Sequence, residues 1–164
     1  MAEAEAQNQQ SGQNAGTEAG QFTIQKVYVK DISFETPNSP QIFLEKWAPE
    51  VSLQLRSTAT QQGEDVHEIV LSLTITAKQG DKTAYLIEVH QAGVFTIKGF
   101  NEHDMKAMLG SYCPNILFPY GREVVSDLVT KGGFPLLLLA PVNFDALYAQ
   151  MLTQQGQTPE DIAH

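Results

Sequence analysis

Apolar residues alternate with polar ones through the first half of the chain and recur at helical spacing in the second. The segment Phe22 to Glu35 is rich in β-branched and aromatic residues. Its alternation shifts phase, with Phe22 and Ile24, then Val27 and Val29, then Ile32 and Phe34, which implies bulges or burial on both faces. Val51 to Arg56 alternates cleanly, as does Ile69 to Thr76. The turn Lys78-Gln79-Gly80-Asp81-Lys82 joins the latter to Thr83 through Ile97 in a predicted hairpin. Thr36 to Glu50 is a long connection holding Pro37, Pro40 and Pro49, yet also Ile42, Phe43, Leu44 and the only tryptophan, Trp47. So many large apolar groups in a loop imply docking on the core or a function.

Helices follow. Asn101 is the predicted N-cap of a helix whose Met105, Met108, Leu109 and Tyr112 share a face. The stretch Tyr112 to Glu123 concentrates two prolines, three aromatics, two aliphatics and the only cysteine. Its composition is built for packing and reads as a shape-critical joint between helices. A further helical stretch carries Val124, Val125, Leu128 and Val129 and ends at Gly132-Gly133. Asn143 caps a last helix bearing Phe144, Leu147, Tyr148, Met151 and Leu152. Strands first and helices afterwards predict an α+β domain: a four-stranded antiparallel sheet, a long crossover loop after the first strand, and helices packed on one face.

Composition narrows the partners. The 164 residues hold 10 Lys+Arg against 19 Asp+Glu, a net charge of −9. That field repels phosphate backbones, and the basic residues are scattered, so nucleic acid is not an expected partner. Residues 1–20 carry three glutamates, no Lys or Arg and nothing aliphatic larger than Ala after Met1. They read as a disordered acidic tail, 154–164 as a flexible C-terminal tail, and 21–153 as the folded domain. No apolar run approaches the ~20 residues a membrane helix needs, no basic-then-apolar leader opens the chain, and one cysteine suits a reducing compartment. A cytoplasmic protein with no direct membrane insertion is expected.

Catalytic chemistry is hard to find. Cys113 sits before Pro114 among apolar residues, with His103 the nearest histidine in sequence. His67, His90, His103 and His164 have no zinc spacing, and no GxSxG, P-loop or GxGxxG is present. Neither an enzyme nor a metal or cofactor site is expected. Two surface features remain. On the first strand Asp31, Ser33 and Glu35 share a face, the carboxylates ~13 Å apart at ~3.3 Å per residue. On the fourth, Leu86 and Glu88 share the face opposite Tyr85, Ile87 and Val89. There is also a surplus of apolar groups, including Ile42, Phe43, Trp47, Phe144, Tyr148, Leu152 and the Leu136-to-Leu139 run, pointing to an oligomer interface or an open groove.

Four long motifs carry a family resemblance. They are Val27 to Asn38, Trp47 with Pro49-Glu50-Val51, Tyr112 through Glu123, and Leu139 to Leu147, and together they resemble the SecB export-chaperone family from about Phe22 to Leu152. The resemblance implies a homotetramer, a dimer of dimers, that binds unfolded precursor proteins without ATP and passes them to the motor SecA. It further implies that Asp31, Glu35, Leu86 and Glu88 form an acidic face for a small zinc-bearing segment of SecA, the zinc belonging to that partner. Trp47, Val51, Leu53, Leu55, Phe144, Tyr148 and Leu152 would line apolar grooves for clients. An acidic oligomeric adaptor or structural module without client-holding activity is the alternative reading.

Overall fold

The computed structural model describes residues 19–156. Most of the predicted N-terminal tail, and the C-terminal tail beyond Gly156, lie outside the described residues. Four strands, β1 (Gln21–Glu35), β2 (Glu50–Gly63), β3 (Val66–Gln79) and β4 (Lys82–Lys98), form one antiparallel sheet in the order β1-β4-β3-β2.

Pairing explains the phase shifts of β1. Its register against β4 slips between Ile24 and Lys26 and again between Val29 and Asp31, so Gln25 and Lys30 are bulges. Phe22, Ile24, Val27, Val29, Ile32 and Phe34 consequently all pair with odd-numbered β4 positions, whose side chains face the core. β2 runs on to Gly63, beyond the Val51-to-Arg56 stretch its alternation marks. Ser57 to Gln62 contains no large apolar residue, so no hydrophobic period announces it, but β3 provides a continuous ladder partner. On that partner Ile69, Leu71, Leu73, Ile75 and Ala77 are fully buried.

Residues 36–49 carry the chain from one edge of the sheet to the other, and side-chain bonds pin them to the β3–β4 hairpin. Asn38 Nδ2 donates to the Thr83 carbonyl at 2.8 Å, and the Ala48 N–H donates to Gln79 Oε1 at 2.9 Å. A 3-10 turn, Gln41–Leu44, drives Ile42 into the core. Trp47 lies 5.3 Å from Phe134 and 6.3 Å from Tyr85, ring centre to ring centre.

The helical layer covers β4 and β3 with α2 (Cys113–Lys131), entered through α1 (Glu102–Ala107) and a π turn, Met108–Tyr112. The Asn101 side chain caps α1 by accepting from the Asp104 N–H at 2.8 Å. The joint expected at Tyr112 to Glu123 is therefore not a joint: nearly all of that segment is the first half of α2. The irregularity lies one turn earlier. Pro114 has no N–H and its ring would crowd the carbonyl one turn back, and the wider π turn, closed by the Cys113 N–H on the Met108 carbonyl, relieves that conflict. Burial holds the helix together across Pro119, because Leu117, Phe118, Gly121, Val125 and Val129 are all buried. Gly132 and Gly133 end it, with N–H bonds from Gly133 to Thr130 and from Phe134 to Val129. The last helix among the described residues, α3 (Phe144–Gln154), is capped by Asn143, whose side chain accepts from the Ala146 N–H at 3.0 Å.

Cys113 is fully buried, and burial pushes its thiol up to about 12. Because the thiolate is the nucleophile, the native protein is expected not to react with an aromatic disulfide reagent at neutral pH. The same chain in denaturant should release one equivalent of chromophore; rapid release from the native protein would contradict the burial.

Candidate binding surfaces

Two surfaces lie on opposite faces of the sheet. On the solvent face, register sets Asp31 beside His90, Ser33 beside Glu88 and Glu35 beside Leu86. The four predicted residues Asp31, Glu35, Leu86 and Glu88 thus converge on two adjacent strands. Leu86 is 37% exposed among the carboxylates, an apolar contact inside an acidic patch. The small side chains of Ser72, Thr74 and Thr76 on β3 continue the same rows beside it.

The bulge at Lys30 shapes the charge here. Lys30 Nζ lies 2.8 Å from Glu68 Oε1, and the Tyr28 hydroxyl donates to the other Glu68 oxygen. These two bonds, Lys30 first, hold the Glu68 carboxyl below its ordinary range. Burial, then Glu68, pushes the Tyr28 phenol up to about 12. Lys30 is the lysine next to Asp31 in sequence, and its charge is directed to Glu68.

The second surface opens on the core-facing side, between β2 and α3. A cavity of about 650 Å³ is lined by Leu55, Leu71, Leu109, Tyr148 and Leu152, among others, with Phe144 in its wall. Gly110 makes this fit: a Cβ there would stand 2.6 Å from the Tyr148 ring. Ser111 Oγ donates to Asp145 at 2.5 Å and fastens the start of α3 to the π turn.

Of the seven predicted groove residues, Leu55, Phe144, Tyr148 and Leu152 meet at this cavity; Trp47, Val51 and Leu53 do not line it. Phe144 is largely core, packed edge-on against Phe118 at 5.7 Å. Trp47 belongs to the aromatic cluster with Tyr85 and Phe134, Val51 is exposed further along β2, and Leu53 is half-buried against the core. Leu147 and Met151 also line the cavity and were not among the predicted groove residues. Their i, i+4 repeat beside Tyr148 and Leu152 makes the apolar stripe of α3 wider than one contact requires, a signal visible in the sequence. The Leu136-to-Leu139 run alternates, with Leu139 inward and Leu136 and Leu138 exposed.

A third surface, an apolar strip, lies along β1. Ile24, Val29 and Ile32 face the same side as the core yet remain 45%, 41% and 44% exposed, because α2 lies over β4 and β3.

Comparison with known proteins gives consistent matches. Residues 14–155 match a family described as "SecB: Preprotein translocase subunit SecB". A protein-export protein SecB from Nitrosococcus oceani is 61% identical over 157 residues, covering 94% of both chains. One from Methylococcus capsulatus is 63% identical over 140 residues, 84% of this chain and 90% of its own. Another from Marinobacter nauticus is 49% identical over 164 residues, 97% of this chain and 99% of its own. Among solved structures, a SecB-like chaperone of Mycobacterium tuberculosis, in complex with a ChAD peptide from the HigA1 antitoxin, superposes with a TM-score of 0.62. It covers 74% of this chain and 90% of its own at 16% identity, a likeness of fold.

Proposed function

This chain belongs to the SecB family and is a protein-export chaperone, and from that premise we propose that it holds non-native precursor proteins without ATP and delivers them to the motor SecA in the cytoplasm. The observation that carries the holding step is the open apolar cavity between β2 and α3. An apolar cavity gains free energy from buried area rather than from particular polar pairings, so it accepts many sequences. Binding the unfolded chain draws the client's folding equilibrium away from the native state by mass action, with no hydrolysis required.

Delivery is assigned to the opposite face. Asp31, Glu35 and Glu88 around Leu86 offer a small basic partner both charge complementarity and one apolar contact. The exposed strip of Ile24, Val29 and Ile32 supports association with further copies, and a homotetramer built as a dimer of dimers would present several cavities to one client. Trp47, Val51 and Leu53 are proposed to extend the client surface along the sheet edge from the cavity.

The test is the refolding of a denatured precursor, which stoichiometric chaperone should slow. Leu55→Glu combined with Leu152→Glu places two charges in the cavity and should weaken client capture about tenfold or more, with the assembly mass by light scattering unchanged. Wild-type protein that leaves refolding unaffected would favour the adaptor reading; unchanged affinity in the double variant would remove the cavity from the client surface.

A further inference from the structure

In the middle of the acidic face stands a group that the docking reading leaves unused. His90 lies on β4 between Asp31 on β1 and Ser72 on β3, and beyond Ser72 the same row ends at Arg56 on β2. Its Nε2 is 2.7 Å from Glu88 Oε1, and its side chain is 30% exposed. An ionised carboxylate only accepts, so the imidazole nitrogen is the donor in this bond. A cavity of about 590 Å³ opens here over Ser72 and Thr74, with Gln54 and Arg56 on one bank and Glu88 and His90 on the other. The charged groups facing His90 are thus Asp31 from β1, Glu88 from its own strand and Arg56 from across the cavity, while β3 contributes only hydroxyls. Lys30, next to Asp31, is engaged by Glu68.

We propose that His90 is a positioning residue that sets both the orientation and the effective charge of Glu88 towards a basic partner. The inference rests on the docking reading given above. As a neutral ring, His90 holds Glu88 through one hydrogen bond and leaves the carboxylate its full negative charge. Once protonated, it becomes a counter-ion placed between Glu88 and Asp31, and competes with the partner's cations for both. Imidazole is the side chain whose charge ordinarily changes between pH 5 and 8. The sign follows from linkage: a cationic partner and a proton on His90 disfavour one another, so affinity rises with pH and falls on acidification.

The experiment measures binding of purified SecA to the full-length protein by calorimetric titration at about pH 8 and about pH 6. Wild-type affinity is expected to fall about three- to fivefold at the lower pH. His90→Gln keeps a hydrogen-bond donor but cannot titrate, and its affinity should change much less. His90→Lys is charged throughout and should bind weakly at both values. A His90→Gln profile as steep as wild type, or a flat wild-type profile, would overturn the proposal. Absence of SecA binding by wild-type protein at both pH values would instead overturn the docking reading on which it rests. Client holding, which uses the other face, serves as the folding control.

Discussion

Glu35→Lys together with Glu88→Lys is expected to abolish retention of SecA while client capture proceeds as in wild type. The two glutamates lie on adjacent strands on either side of Leu86, their register neighbours being Leu86 and Ser33. Each reversal changes the local charge by two, so Asp31, Glu35 and Glu88 pass from −3 to +1 together. Setting like charges against each other across an interface costs several kcal/mol, which is two or more orders of magnitude in affinity. Neither side chain contributes to the core, since both stand on the solvent face of the sheet. The double variant should therefore keep its thermal stability and its effect on precursor refolding. SecA retained normally in a pull-down by the folded variant would remove this face from the delivery step.

Gly121→Leu is expected to lower stability by about 3 kcal/mol, at the upper end of what overpacking a tight core costs. α2 lies tight against the sheet at this position. A Cβ on Gly121 would stand 2.9 Å from Leu73 Cδ1 and 3.5 Å from the Gln91 Cβ. Both neighbours are buried: Leu73 has no exposed surface, and Gln91 is held by its Nε2 bond to the Tyr28 carbonyl at 3.0 Å. Leucine adds three further carbons where the first already requires movement. For a chain of this size the melting temperature should drop by roughly 10 °C. Scanning calorimetry reads it directly, and a melting temperature within a degree or two of wild type would mean that α2 lifts from the sheet at little cost.

Much of this architecture is legible in the sequence wherever local chemistry decides the outcome. Asn101 and Asn143 announce helix starts because a short side-chain acceptor suits a free N–H there. The shifting alternation of Phe22 to Phe34 marks both bulges, since side-chain direction in a strand has a period of two. Prolines mislead within Tyr112 to Glu123. Pro114 and Pro119 look like breaks when taken alone, but burial of Leu117, Phe118 and Gly121 outweighs the lost backbone bonds. Ser57 to Gly63 gives no signal because that half of β2 is held by its partner strand rather than by its own side chains.

The surfaces divide in the same way. That Asp31 and Glu35 share a face, and that Leu86 and Glu88 do, follows from alternation. That the two pairs meet depends on β1 lying beside β4, a long-range choice that spacing does not encode. The cavity draws Leu71 from β3 and Leu109 from the π turn, residues whose spacing reads as plain core. His90 is a similar case. A histidine alternating with Glu88 looks like an ordinary surface group until Asp31 and Arg56 appear on either side of it.

The bulges in β1 also govern how this strand can change in length. Gln25 and Lys30 are the residues of β1 without a partner on β4. Deleting Lys30 would leave Ile32 and Phe34 pointing inward and Asp31, Ser33 and Glu35 pointing outward, because a bulge adds a residue without reversing the faces beyond it. The two bulges act as expansion joints. Insertions and deletions that would elsewhere swap an apolar face for an acidic one can be absorbed there, and chains of unequal length can keep both faces aligned.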